Sequence, residues 1–242
     1  MFDMHRLVRL AMQKWLREHQ QWGAWVNKTL TWLVEVVPYG GHERREVWTA
    51  YLPHAMHVVE LAEVYEVEGR VLLLDRLGRC EQSLGRYNSA EAAHRKVLER
   101  REGLLGKEHP DTLTSMSNVA RALSNQGKYA EAEKMHRETL ALDEKVSGKE
   151  HPDTLSSVYC LAYSLHRQQQ YEEALSLYHR ACIGYEEKLG PSHATTQACL
   201  NHYSLLRQLC DLDFSGGGIN ISAHTAIPRN LYSAEIATSL TP

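Results

Sequence analysis

The chain has 242 residues, and its 27 lysines and arginines stand against 30 aspartates and glutamates for a formal net charge of -3. With 24% charged and 43% hydrophobic residues it has the make-up of an ordinary globular protein, and the near balance of charge implies no global binding of polyanions such as nucleic acid. No stretch of 18 apolar residues occurs, which excludes a membrane-spanning helix.

In chain order, the first zone is residues 1–37. Leu7, Leu10, Ala11 and Trp15 have helical spacing, and Trp22, Trp25, Val26, Leu30 and Leu33 predict a second amphipathic helix. The opening Met1–Arg6 segment lacks the apolar core of a signal peptide, so no export leader is expected. Pro38-Tyr39-Gly40-Gly41 breaks the pattern. Between Arg44 and Glu68, Trp48, Leu52, Val58, Leu61 and Val64 predict a degenerate helix pair, so that 38–68 forms a second zone. All five tryptophans (Trp15, Trp22, Trp25, Trp32, Trp48) lie in this first part of the chain.

From residue 69 to 210 the chain repeats itself every 42 residues. Gly106, Gly148 and Gly190 mark the interval, as do His109, His151 and His193, Tyr87, Tyr129 and Tyr171, and Ala90, Ala132 and Ala174. A single core has no reason to place one side chain at a fixed interval, whereas a stack of like units does. Each unit reads as helix A, turn, helix B. In the second, Pro110 halts the preceding element, Asp111 or Thr112 is expected to cap helix A, and Leu113, Met116, Ala120 and Leu123 face inward. Gly127-Lys128 forms the turn; helix B begins near Ala130, buries Ala132, Met135, Leu140 and Leu142, and stops at Gly148. Gly78, Ala120 and Ala162, with Ala90, Ala132 and Ala174, are small so that paired helices can approach closely. A further helix A, from about Thr195 to Leu209, closes the stack. Residues 211–242 open with a Ser-Gly-Gly-Gly run, show no periodicity and read as a low-order tail.

The small residue in helix A, the tyrosine after the turn and the alanine in helix B resemble the tetratricopeptide repeat, with the usual 34-residue unit lengthened by eight. The connectors Gly106-Lys107-Glu108-His109-Pro110-Asp111-Thr112-Leu113 and Gly148-Lys149-Glu150-His151-Pro152-Asp153-Thr154-Leu155 resemble the kinesin light chain type of that repeat, and Gly190-Pro191-Ser192-His193 departs from it. The implied fold is all-α: a right-handed tetratricopeptide-repeat superhelix of about three and a half units after a short helical module. At the start, Met4-His5-Arg6-Leu7-Val8 resembles a segment near the end of the winged-helix module of NB-ARC-type (STAND) signalling ATPases. There the histidine reads the nucleotide phosphate, which implies that role for His5; the family's frequent aspartate is Arg6 here. Fungal proteins of that class commonly continue into kinesin-light-chain-like repeats. No Walker A motif accompanies the segment: Gly106-Lys107, Gly127-Lys128 and Gly148-Lys149 lie at repeat turns and lack the following Ser or Thr.

No chemistry of catalysis stands out. A G-x-S-x-G elbow is absent, and no cysteine lies beside a histidine and an orienting acid in the sequence. His54 and His57, with Glu60 and Glu63, share helical spacing, yet no second cluster completes a metal set. His94 and His136 read as core histidines. The five cysteines (Cys80, Cys160, Cys182, Cys199, Cys210) are scattered and read as reduced thiols of a cytosolic or nuclear protein, with the cytoplasm as the expected location.

Ligand binding is expected on the concave groove of a superhelix, which in this repeat type is lined by helix A. Those positions hold Arg76, Arg79, Asn118, Arg121, Asn125, Tyr159, Tyr163, His166, Arg167 and Asn201. Arginine grips carboxylates with paired hydrogen bonds, asparagine can pair a peptide backbone, and tyrosine adds flat apolar area. The expected function is non-enzymatic: a scaffold without cofactor or metal that binds an extended, acidic protein or peptide, as the sensor or partner-docking part of a STAND-type protein. The two alternatives are a kinesin-light-chain-like cargo adaptor, which would call for a long heptad coiled coil that the chain lacks, and the regulatory part of a switch whose NTPase lies upstream. Neither nucleic acid nor membrane is an expected partner.

Overall fold

The computed structural model describes residues 4–37, 45–61 and 67–214. The predicted low-order tail therefore lies outside the described residues from 215 onward, as does the Pro38–Gly41 break. The described residues form ten helices: α1 (Met4–Glu18), α2 (Trp22–Val36), α3 (Arg45–Glu60), α4 (Val67–Ser83), α5 (Tyr87–Leu105), α6 (Pro110–Gln126), α7 (Tyr129–Val146), α8 (Pro152–Arg167), α9 (Tyr171–Leu189) and α10 (Ala194–Phe214). No described helix is long and apolar enough to cross a membrane. The chain divides into two compact units, Met1–Cys80 and Glu81–Pro242, and the boundary falls inside α4.

The first unit buries one stripe of α2, with Val26, Leu30, Leu33 and then Val37, together with Trp48, Leu52, Ala55, Val58 and Val59 of α3. These positions recur at three and four residues, the spacing of one helical face. The expected inward set is corrected in two places. Trp25 sits one position off the α2 stripe and is half exposed, with the Lys28 ammonium 5.2 Å from its ring centre. Leu10 and Trp15 of α1 are likewise exposed, and Trp15 stacks on His19. Where a helix pair was expected between Arg44 and Glu68, the described residues form a single helix, α3, which contains Pro53. His54, His57 and Glu60 are exposed on it, and Glu63 lies outside the described residues.

In the second unit the helix pairs α6–α7 and α8–α9 carry the repeat. The connector explains itself residue by residue. Gly106, Gly148 and Gly190 take φ of 86°, 88° and 87°, a backbone that side chains other than glycine rarely adopt. His109 is the N-cap of α6 and His151 that of α8. Each imidazole Nδ1 accepts the backbone N–H two residues on, from Asp111 at 3.2 Å and Asp153 at 3.3 Å. The cap is thus the histidine, one residue ahead of proline at the first helical position, rather than Asp111 or Thr112. The aspartate instead sits in the first turn, where the helix dipole favours negative charge. Thr112 and Thr154 turn their hydroxyls back to the carbonyls of Gly106 and Gly148, both at 2.8 Å, and both residues are fully buried. Leu113 and Leu155 then enter the core.

The small positions pack as expected: Ala90, Ala120, Ala132, Ala162 and Ala174 are all fully buried. Gly184 of α9 has a comparable duty, since a Cβ there would lie 2.5 Å from Cδ2 of Leu155. His94, His136 and Tyr178 are equivalent residues of the three B helices, and all are buried. The five cysteines are free thiols; Cys210 is half-buried and the others are buried. Neighbouring B helices are tied at their outer edge: Arg137 of α7 grips Glu173 of α9 through both guanidinium ends at 2.8 and 2.9 Å, and Arg180 of α9 reaches Glu144 of α7 at 2.7 Å.

Candidate functional site

Two of the ten proposed peptide-binding residues belong to the first unit. Arg76 directs its Nη1 to the carbonyls of Val34 and, at 2.8 Å, Val37, the unfilled acceptors at the C-terminal end of α2. Arg79 is buried and pairs through Nε with the buried carboxylate of Asp75 at 3.1 Å. Both guanidinium groups therefore hold partners within the chain.

The other eight lie in the second unit. On α6, Asn118 and Arg121 are buried and joined by a 2.8 Å hydrogen bond from Nη2 to Oδ1. The Arg121 charge reaches His136 on α7. Burial first, and then that cation, hold the imidazole down at about 3. Asn125 is buried at the end of the same helix, and its Nδ2 has no hydrogen-bond partner among the described residues.

On α8 the equivalent positions are aromatic. Tyr159 shares a 2.6 Å hydrogen bond with His202 Nδ1 of α10 and packs edge-on against Tyr178 of α9. Tyr163 lies 6.2 Å from the His202 ring, and His166 meets Tyr171 and Tyr178 edge-on. Burial holds His202 down to about 4; burial, with the His202 and Arg167 charges behind it, does the same to His166. Burial likewise pushes the Tyr159 and Tyr178 hydroxyls up. This cluster is consequently neutral over the whole physiological range. Arg167 is half-buried: its Nε donates to the Tyr129 hydroxyl at 3.0 Å and its guanidinium carbon stands 5.5 Å from that ring centre. Asn201 of α10 is exposed.

The helix-A positions are thus more enclosed than a solvated groove lining would be, because adjacent A helices pack on one another here. Ser124 of α6 and Ser164 of α8 meet at 3.0 Å, hydroxyl to hydroxyl. Sequence spacing places residues on a face of one helix; it does not say how closely the next helix covers that face. Within α6–α9, by contrast, charge is segregated. Beyond the first turn, the charged residues of α6 and α8 are Arg121 and Arg167, with no carboxylate among them, whereas α4 carries Asp75 and Glu81 and α10 carries Asp211 and Asp213. Helices α7 and α9 each carry more acids than bases.

Sequence reasoning overlooked a cleft of about 570 Å³ lined by Gly85, Arg86, Tyr87, Asn88, Ser89, Asn125, Gln126 and Lys128. A column-by-column comparison of the repeats would have pointed to it, because Asn125 aligns with the much longer Arg167. Among the described residues, no group of three or more histidines, cysteines or acids is arranged to hold a metal ion.

Comparison with known proteins fits this architecture. The tetratricopeptide-repeat family models match residues 69–145 and 154–195. These residues are tetratricopeptide repeats. Its repeats are similar in fold to two crystal structures of a protein described as a putative kinesin light chain of Podosopora anserina, with nearly identical TPR-like repeats. One superposes with a TM-score of 0.51 at 23% identity, and the other with 0.50 at 24%. Each covers 68% of this chain and 85% of that one. A nucleotide-binding leucine-rich repeat (NLR)-like protein of Hyaloscypha variabilis is 36% identical over 118 residues, 48% of this chain. The match spans only 12% of that relative's length.

Proposed function

We propose that the tetratricopeptide repeats are a non-enzymatic scaffold that binds an extended acidic peptide along the helix-A side of the stack. The observation that carries this reading is the charge segregation in the second and third repeats: beyond their first turns, α6 and α8 offer Arg121 and Arg167 and no carboxylate. An acidic segment laid across them meets charges of opposite sign, whereas a basic segment meets none. Asn118, Asn125 and Asn201 add donors and acceptors suited to a peptide backbone, and Tyr159, Tyr163 and His166 fix the helices that present them.

The likeness to an NLR-like protein supports a place for this scaffold as the sensor or partner-docking part of a cytoplasmic STAND-type signalling protein. In that setting His5, on α1, would be the residue that reads a nucleotide phosphate held by another module. The fold of the kinesin-light-chain structures keeps a cargo-adaptor role as the second reading. The gene upstream of Met1 decides between them: a phosphate-binding Walker A loop there supports the signalling reading, and a heptad coiled coil supports the adaptor.

The groove itself is tested with the full chain and a fluorescent glutamate-rich 12-residue peptide, read by anisotropy. Arg121→Gln removes a cation, and Asn201→Glu places a like charge at an exposed position. Together they should weaken binding at least about tenfold, with helicity by circular dichroism unchanged. Equal affinity in the double variant removes the assignment.

A further inference from the structure

The cleft at the edge of the first two repeats has no counterpart role in the packing described above, and its walls carry a particular chemistry. It is bounded by the turn before α5, the first turn of α5 and the C-terminal end of α6. The first N–H groups of a helix have no partner within it. At α5 no side chain substitutes, because the N-cap Arg86 makes no cap bond and the first turn contains no acid. The equivalent helices also lack a side-chain cap but differ in their first turns. Helix α7 has Glu131 in its first turn and α9 has Glu172 and Glu173, so their own carboxylates answer the helix dipole. At the position of Glu131 and Glu173, α5 has Ser89.

Two further observations point to an occupant. Asn125, on the cleft wall, is only 8% exposed, and its Nδ2 donor has no partner among the described residues. A buried amide donor left unmet is costly, and a bound acceptor would meet it. The next repeat shows what fills the same place when the residue is longer. There Arg167 replaces Asn125, folds over Tyr129 and donates to its hydroxyl, and Tyr129 is the equivalent of Tyr87. The glutamine that follows is held alike in both repeats. Gln126 Nε2 donates to Glu91 at 2.7 Å and to the Tyr87 carbonyl at 3.2 Å; Gln168 Nε2 donates to Glu133 at 2.8 Å and to the Tyr129 carbonyl at 3.5 Å. The two edges therefore share one frame, and the cleft is the space that a shorter side chain leaves.

Two cations stand in its wall. Arg86 and Lys128 both line it, and each is only loosely paired, Arg86 to Glu81 at 3.4 Å and Lys128 to Glu91 at 3.5 Å. We propose that this cleft binds a carboxylate, the side chain of a glutamate or aspartate in a peptide partner, with Asn125 Nδ2, Lys128 and the first-turn N–H groups of α5 as its donors. The assignment adds an anchoring subsite to the acidic-peptide reading and rests on it for the nature of the partner.

The test separates the two. The full chain, labelled with 15N, is titrated with N-acetylglutamate N-methylamide, its glutamine counterpart and inorganic phosphate. Glutamate should shift the Asn125 side-chain amide and the backbone amides of Asn88 and Ser89, with a dissociation constant on the order of a millimolar. The glutamine probe should leave them in place. Asn125→Arg, which installs the residue found in the next repeat, and Lys128→Met should each weaken this binding about tenfold while helicity is unchanged. The Arg121→Gln, Asn201→Glu double variant should retain it, so that loss of the groove and loss of the cleft are read separately. Equal shifts from glutamine, shifts from phosphate alone, or full binding by Asn125→Arg would overturn the proposal.

Discussion

The second and third tetratricopeptide repeats have the same eight-residue connector and differ in what their A helices present. Gly, Lys, Glu, His, Pro, Asp, Thr and Leu recur without a change from 106 to 113 and from 148 to 155. Yet the second repeat presents Asn118, Arg121 and Asn125 where the third has Cys160, Tyr163 and Arg167. The invariant residues are those whose backbone or hydrogen-bond duty admits few substitutes: a glycine at positive φ, an imidazole cap, a threonine hydroxyl returned to a carbonyl. The variable ones face the adjacent repeat, where the partner side chains differ as well. In the second repeat that interface is charged and amide-rich. In the third it is a neutral cluster of tyrosines and histidines.

The contrast is broken most strongly by emptying the core beneath it. Leu155→Ala should cost about 2–5 kcal/mol, because the side chain is fully buried against Gly184 and the aromatic cluster. Leu113→Ala in the second repeat should fall in the same range, and denaturant unfolding measures both. A loss below about 1 kcal/mol in either, on the order of an exposed substitution, would show that the repeat does not unfold with the rest of the stack.

Next in size is the response to acid. Histidine has an ordinary value of 6.5, and the fold holds His136 at about 3 and His166 and His202 at about 4. Between pH 6.5 and 4 the unfolded chain therefore binds protons that the folded chain refuses. Stability falls as pH falls, by about 1.4 kcal/mol per pH unit for each histidine. Asp143, buried and bonded to Ser157 at 2.6 Å, runs the other way. Burial pushes its carboxyl up to about 6, so the folded chain takes up a proton there before the unfolded chain does, and this offsets one histidine. His136→Tyr copies the third repeat, where Tyr178 stands. It should remove about 1.4 kcal/mol per unit from the slope of unfolding free energy against pH, and an unchanged slope would contradict the buried, neutral assignment of His136.

The smallest effect sharpens the comparison at the turns. Gly85 and Gly127 adopt φ of 75° and 85°, but the third repeat places Gln169 there at 65°. A left-handed backbone costs a residue with a side chain about 1–2 kcal/mol, partly offset by the greater entropy of glycine in the unfolded chain. Gln169→Gly should thus raise stability by about 0.5–1 kcal/mol and Gly127→Ala should lower it by a similar amount, both read as shifts in melting temperature. A destabilised Gln169→Gly would mean that the glutamine side chain compensates locally.

Much of the repeat was legible because its signals are local in sequence and recur. Small residues at a 42-residue interval mark close helix pairs, and the buried alanines follow from that alone. The histidine at the connector was legible as a connector residue, though not as the cap itself, since aspartate and threonine are the commoner caps and stand just beside it. The first part of the chain read less well. Tryptophan invites an inward assignment by hydrophobicity, but Trp15, Trp25 and Trp32 are about half exposed, while the smaller Val26, Leu30 and Leu33 fill the core. Of the proposed site, sequence placed Arg121, Tyr159 and Asn201 on A helices. It could not show that Arg76 closes the end of α2, or that Tyr159 meets His202 43 residues on.

The sequence by itself determined the repeat, the turns and the helix pairing, because each depends on a residue's own backbone preference or size. Only the tertiary structure decided which of the helix-A side chains are enclosed, which histidines are kept neutral, and where Asn125 leaves a cleft that Arg167 fills. Those outcomes depend on the distance between neighbouring helices, and that distance is set by side chains contributed from separate repeats.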